Sequence, residues 1–131
     1  MKQKLAHIAL VVEDYDEAID FYINKLGFKL IEDTQQTDTK RWVIVSPNSE
    51  DSCSILLAKA VGEEQKSRIG NQTGGRVFLF LHTDDFWRDY NLFTKNNVKF
   101  VRAASYESYG TVAVFEDLYG NLWDLIERKN E

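Results

Sequence analysis

The chain has 131 residues and a single cysteine, Cys53. That count excludes an internal disulfide and any Cys-rich zinc knuckle, and it suits a reducing compartment. Histidine is nearly as scarce, with only His7 and His82. A metal site would therefore have to draw mostly on carboxylates, amides or water. Positive charge is also in deficit, 16 Lys and Arg against 21 Asp and Glu for a net charge of −5. Such a balance works against non-specific binding to phosphate backbones, so no nucleic-acid partner is expected. Long hydrophobic runs are missing too. The longest, Leu5 to Val12, is interrupted by His7 and followed at once by Glu13-Asp14-Tyr15-Asp16-Glu17. It has neither the length of a membrane span nor the flanks of a signal peptide, so the expectation is a cytoplasmic protein without a membrane partner. Asn71-Gln72-Thr73 matches the N-glycosylation pattern, but without a secretory signal it reads as a polar loop.

What is present fits one compact domain spanning residues 1–131. The residues are 44% hydrophobic, 28% charged and 13% aromatic. A chain of this length buries roughly two-thirds of its unfolded surface without needing a staple. Leu5–Val12, rich in β-branched residues, predicts a strand buried on both faces. Asp14 predicts a helix N-cap with Glu17 three residues on, and Ala18, Tyr22 and Leu26 form an apolar stripe that Gly27 ends. Phe28–Asp33, Arg41–Val45 and Ser52–Ala58 are three further strand candidates, with a turn at Ser46-Pro47-Asn48-Ser49. Val61–Gly75 reads as an exposed connection with room for one helical turn.

Beyond the connection the pattern recurs. Val77–Leu81 is a strand, Thr83-Asp84-Asp85 a helix start, and Phe86, Tyr90 and Phe93 an apolar stripe that Asn96-Asn97 ends. Val98–Val101, Thr111–Phe115 and Leu122–Ile126 complete a second set of strands, with a tight turn over Asp117–Asn121 before the last. Val11 maps to Leu81, Asp14 to Asp84, Gly27 to Asn97 and Phe28 to Val98 at a constant offset of 70 residues, with the helical part drifting by about one residue. The expected fold is α+β: tandem βαβββ units, unit one over 1–60, a connection over 61–75 and unit two over 76–131. Paired, such units would form a cup-shaped mixed sheet open to a small molecule.

The opening His7-Ile8-Ala9-Leu10-Val11-Val12-Glu13-Asp14, the stretch Ala18-Ile19-Asp20-Phe21-Tyr22 through Leu26-Gly27-Phe28, and the closing Phe115 to Leu125 together resemble the vicinal oxygen chelate superfamily. That group includes glyoxalase I, extradiol dioxygenases, fosfomycin-resistance thiol transferases and bleomycin-resistance proteins. The closing segment looks like the family's D-P-x-G-N-x-x-E-L signature, with Leu118 in place of Pro and Asp124 in place of Glu. The resemblance implies the glyoxalase/bleomycin resistance/dioxygenase fold and a homodimer. In metal-dependent members a divalent cation stabilises charge developing on substrate oxygens.

Carried over by position, His7 matches the first ligand and Asp124 the last. The equivalent of His7 in the second unit is Val77, which cannot bind a metal, and Ser52–Ala58 offers no carboxylate or amide. His82 lies five residues beyond Val77, and strict alternation turns it to the opposite face. The same parity separates Glu127 from Asp124 and predicts a surface residue. The implied site for Zn, Ni, Mn or Fe is thus incomplete, with two candidate ligands where three are usual. His7 and Asp124 could instead bond each other and serve as an acid–base couple. Trp42, Arg76, Tyr109 and Trp123 are the expected substrate contacts, with Arg41 and Arg102 as further cations for a carboxylate or phosphate. Asn71–Arg76 reads equally as a lid or as a plain linker. Cys53 reads as a small buried hydrophobe. Three functions follow: a glyoxalase-like lyase or isomerase centred on His7 and Asp124, a binding protein of the bleomycin-resistance type, or an extradiol dioxygenase-like metalloenzyme.

Overall fold

The computed structural model describes residues 1–129. The chain divides into two compact units, the first from Met1 to Ile69 and the second from Gly70 onward. Unit one runs β1 (His7–Val12), α1 (Tyr15–Asp20), β2 (Lys29–Gln35), β3 (Arg41–Ser46), β4 (Ser54–Lys59) and α2 (Gly62–Ser67). Unit two runs β5 (Val77–His82), α3 (Phe86–Lys95), β6 (Phe100–Glu107), β7 (Gly110–Glu116) and β8 (Leu122–Arg128). Each unit folds into a four-stranded mixed sheet, ordered β1-β4-β3-β2 in one and β5-β8-β7-β6 in the other. The first and last strands of each unit lie side by side in parallel, and the remaining neighbours are antiparallel. Among the described residues no helix is long and apolar enough to cross a membrane.

Helices α1 and α3 begin as the residues dictate. Asp14 accepts from the Glu17 N–H at 2.9 Å, and Asp85, one residue beyond the expected Asp84, accepts from the Arg88 N–H at 3.1 Å. These caps satisfy donors that a helix N-terminus otherwise leaves open. Gly27 (φ 75°) and Asn97 (φ 65°) end the two helical segments in the left-handed conformation that Gly and Asn tolerate best. The first segment is one residue longer between cap and stop. Its extra residue is absorbed in a wide π-helical turn, Phe21–Lys25, closed by the Leu26 N–H on the Phe21 carbonyl at 3.2 Å.

Alternation along the strands sends one face of each sheet to its helix. In unit one Leu10, Val12, Val43, Val45 and Leu57 are buried together with Tyr15, Ala18 and Tyr22. In unit two the register row Leu79–Trp123–Phe115–Phe100 lies on the α3 side, with Phe93 edge-on to Phe115 and Tyr90 against Phe100. Fully burying one such side chain contributes roughly 1.5–3 kcal/mol.

The turn before β8 explains why its residues carry a fold signature. Asp117, only 4% exposed, accepts through Oδ1 from the N–H groups of Tyr119, Gly120 and Asn121 at 3.0, 3.0 and 2.9 Å. Its Oδ2 accepts from Asn121 Nδ2 at 3.0 Å. Asn121 Oδ1 in turn accepts from the Gln72 N–H at 3.2 Å. A Cβ on Gly70 would stand 1.9 Å from the Tyr119 carbonyl oxygen. The glycine-rich segment expected to be either lid or linker is therefore fastened to this turn.

Candidate functional site

In unit one, β3, β4, the β2–β3 connection and α2 surround a cavity of about 740 Å3, lined among others by Tyr15, Lys40, Arg41, Trp42, Leu56 and Gln65. Alternation places Val43 and Val45 toward the helix and so turns Trp42 to the other face of the sheet. Trp42 is half-buried there, and the His7 ring stands edge-on to it with centroids 6.2 Å apart. His7 itself is exposed at the start of β1, in register with Ser54. Cys53 is half-buried, its thiol directed at the Ser54 carbonyl at 3.5 Å.

Arg41 is committed to the fold. Its guanidinium forks onto Asp33 at 3.1 and 2.7 Å, reaches Asp16 at 2.9 Å, and lies 5.1 Å from the centre of the Tyr15 ring. The hydrogen bond from Arg41 holds the Asp33 carboxyl below the usual carboxylate range, and hydrogen bonds to Asp33 and then Asp16 hold the guanidinium charged. Three of the five guanidinium N–H donors are thus taken by Asp33 and Asp16, which fixes Arg41 against β2 and α1. Lys40 and Lys59 also line the cavity, and neither has an ion-pair partner among the described residues. Nothing in their local sequence separates these lysines from ordinary surface cations.

In unit two the expected contacts disperse. Trp123 is 2% exposed and stacks on Phe115, centroids 5.8 Å apart and planes 14° from parallel. It is part of the core beneath α3 and not a ligand wall. Arg76 is exposed just before β5, and its carbonyl accepts from Thr73 Oγ1 at 2.5 Å. Tyr109 is 50% exposed in the β6–β7 turn, where its carbonyl accepts from the Lys129 N–H. Glu127 is no surface ornament: its Oε1 accepts the Phe86 N–H at 2.7 Å and ties β8 to the start of α3.

Asp124 is half-buried on the face of β8 opposite Trp123. Burial pushes its carboxyl above the usual range, while the charges of Arg102 and His82 pull it back. That His82 acts on Asp124 corrects the strict-alternation reading. The β5–β8 register shifts between Val77 and Leu79, after which Phe80 pairs with Asp124 and His82 with Ile126. The bulge reverses the parity, so His82 shares Asp124's face.

A family profile described as Glyoxalase/Bleomycin resistance protein/Dioxygenase superfamily matches residues 4–125. The chain belongs to this superfamily. It is 66% identical over 97% of its length to an uncharacterized protein of Shewanella frigidimarina (strain NCIMB 400), covering 95% of that protein. The superfamily's fold is shared by the crystal structure of UcmS2, with a TM-score of 0.84, 29% identity and coverage of 97% and 99% of the two chains. It is shared also by TnmS3, an antibiotic binding protein from Streptomyces sp. CB03234, with a TM-score of 0.77, 26% identity and 98% coverage of each chain.

The divalent cation of metal-dependent superfamily members does not fit the residues present. Among the described residues no three His, Cys, Asp or Glu side chains gather where they could hold a metal ion.

Proposed function

We propose that this superfamily member is a binding protein that captures a small aromatic, acidic molecule in the cavity of its first unit. The observation that carries this reading is the cavity itself. At about 740 Å3 it lies within the usual range for small-molecule sites, and it combines the Trp42 ring with two cations, Lys40 and Lys59, that no acid among the described residues engages. A planar ring stacks on the indole, and an anionic substituent meets the ammonium groups. The similarity to an antibiotic binding protein supports the reading. No chemical step is needed: stacking and ion pairing suffice to hold and sequester a ligand.

The competing reading is a glyoxalase-like lyase centred on His7 and Asp124, which requires a stoichiometric cation. A single set of measurements separates the two. The protein is purified without chelator, its Zn, Ni, Mn, Fe and Co are quantified, and it is titrated with 8-anilinonaphthalene-1-sulfonate, a planar aromatic anion. Saturable binding of one probe per chain, lost in Trp42→Ala and weakened at least fivefold in Lys40→Ala, is the expected result. Stoichiometric metal that disappears in His7→Ala and Asp124→Asn, or probe binding indifferent to Trp42, overturns the proposal.

A further inference from the structure

The second unit carries an aromatic shelf on the α3 side of its sheet, further along the strands than the buried pair Trp123 and Phe115. There a register row reads Tyr106, Thr111, Glu127, contributed in turn by β6, β7 and β8. Trp87 joins this row from the first turn of α3, its ring centroid 6.5 Å from that of Tyr106 and the planes 52° apart. Tyr90 stands edge-on to Trp87 at 5.4 Å and continues the line of rings to Phe100. The two outer rings keep their contact with solvent: Trp87 is 41% exposed and Tyr106 77%.

A cavity of about 250 Å3 adjoins these rings, lined among others by Tyr106, Glu107, Thr111 and Glu127. Its acids distinguish it from an ordinary aromatic patch. The half-buried Glu127 carboxylate has one hydrogen bond, from the Phe86 N–H to Oε1, and no ion pair among the described residues. Glu107 accepts from Ser105 Oγ and likewise meets no cation among those residues. Arg88, in the same turn of α3 as Trp87, is held by Asp84 and Asp89 at 2.9 and 3.0 Å. Arg128 and Lys129 also line the cavity. Alternation turns Arg128 to the other face of β8, and Lys129 lies past the end of that strand, its N–H on the Tyr109 carbonyl at 3.0 Å. A partly desolvated carboxylate without a counter-charge is costly, and bare indole and phenol faces present the negative side of their π systems. One occupant relieves both: a cation that asks for no hydrogen bonds.

We propose that Trp87, Tyr106 and Glu127 form a binding site for a small quaternary ammonium compound on the α3 side of the second unit, sharing no residue with the first-unit cavity. The methyl groups of the cation lie against the Trp87 and Tyr106 rings, and the Glu127 carboxylate offsets its charge. A quaternary centre suits these walls better than a primary ammonium, whose three N–H donors and strong hydration call for acceptors that aromatic rings do not supply. Glu127 thereby serves twice. Its Oε1 fixes the start of α3, and with it the Trp87 backbone, while its charge attracts the ligand.

The test is a nuclear magnetic resonance titration of the 15N-labelled full chain with choline chloride, at constant total chloride, and with 3,3-dimethylbutan-1-ol, the uncharged molecule of the same shape. Choline should shift the Trp87 indole N–H and the backbone signals of Tyr106, Thr111 and Glu127 along saturable curves. It should bind about fivefold more tightly than the alcohol, the size of a cation–π contribution at a partly exposed site. Trp87→Ala and Tyr106→Ala should each weaken choline about fivefold and the alcohol less, because the rings act on the charge as well as on the methyl groups. Glu127→Gln keeps an oxygen for the Phe86 N–H, so the circular dichroism spectrum should be unchanged while the preference for choline over the alcohol shrinks. Lys129→Ala removes a like charge and should leave choline bound at least as tightly. Trp42→Ala should alter none of these values, so this site and the first-unit cavity fail separately. Equal affinity for choline and the alcohol, choline binding indifferent to Trp87 or to Glu127→Gln, shift changes confined to β3 and β4, or α3 shifts that follow protein concentration and not choline, as a contact between two chains would give, would each overturn the proposal.

Discussion

Replacing Asp117 with alanine should be the most damaging single substitution outside the apolar core. The carboxylate accepts four hydrogen bonds, three from consecutive backbone N–H groups and one from the Asn121 side chain. Asn121 is 3% exposed, so its two donors would be left buried and unpaired, at about 1–3 kcal/mol each. Tyr119 and Gly120 are half-buried and recover part of their loss from water. The expected sum is about 3–5 kcal/mol, a large share of the roughly 5–15 kcal/mol that stabilises a domain. Asp117→Asn keeps an oxygen for the three backbone donors but sets an amide NH2 against Asn121 Nδ2, so it should cost about 1–2 kcal/mol. Urea unfolding followed by far-ultraviolet circular dichroism gives both values. Thermal scans should show Asp117→Ala melting about 10–20 °C below the parent. A loss below about 1 kcal/mol for alanine, or equal losses for alanine and asparagine, would refute the account of this turn.

Three further outcomes follow from the same geometry. Gly70→Ala should lose about 2–3 kcal/mol in urea titrations, because its Cβ meets the Tyr119 carbonyl at 1.9 Å and φ is +74°, whereas Gly27→Ala, with open space around it, should lose only about 1–2 kcal/mol. Leu118→Pro should gain about 0.4–1 kcal/mol by thermal scan, since Leu118 is the exposed second residue of the turn closed by the Gly120 N–H on the Asp117 carbonyl. Arg41→Gln should narrow the stability difference from the parent as acid is added. Asp33 titrates below its unfolded value because of Arg41, so its contribution is fully present above about pH 4 and is lost as the pH falls through the lower folded value. Urea midpoints at pH 7, 4 and 2.5 measure that convergence.

Much of the fold was legible because it is written twice. The 70-residue offset aligns β1 with β5, and the two helix stops fall at Gly27 and Asn97 as that offset requires. The helix caps were readable from short polar side chains that satisfy open N–H groups. The site was far less legible. Strict alternation puts His82 on the wrong face because a bulge is decided by how two strands align, not by the residues that flank it. Bulges likewise hid the extent of β6, which continues from Phe100 to Glu107. Trp123 is a different case. Its adjacency to Asp124 already assigns it to the opposite face by alternation, and its aromatic character drew attention that its parity did not support. For Glu127, parity alone locates the side chain but not the helix N–H waiting for it.

The parallel pairing of first and last strands sets an order of assembly. Among the described residues each sheet has its opening strand at an edge, hydrogen-bonded to the strand made last in that unit. Until β4 emerges, β1 has no neighbour, and closing that contact spans nearly the whole unit, an entropic cost that local hairpins escape. The β2–β3 and β6–β7 hairpins can therefore form early, with β1 and β5 recruited late. During synthesis β1 waits as an apolar segment with unsatisfied edges until β4 is available to pair with it. Mistakes in production should accordingly arise from slow delivery of β4, and slowing or speeding translation over residues 46–59 should change soluble yield more than the same manipulation over the second unit's hairpin.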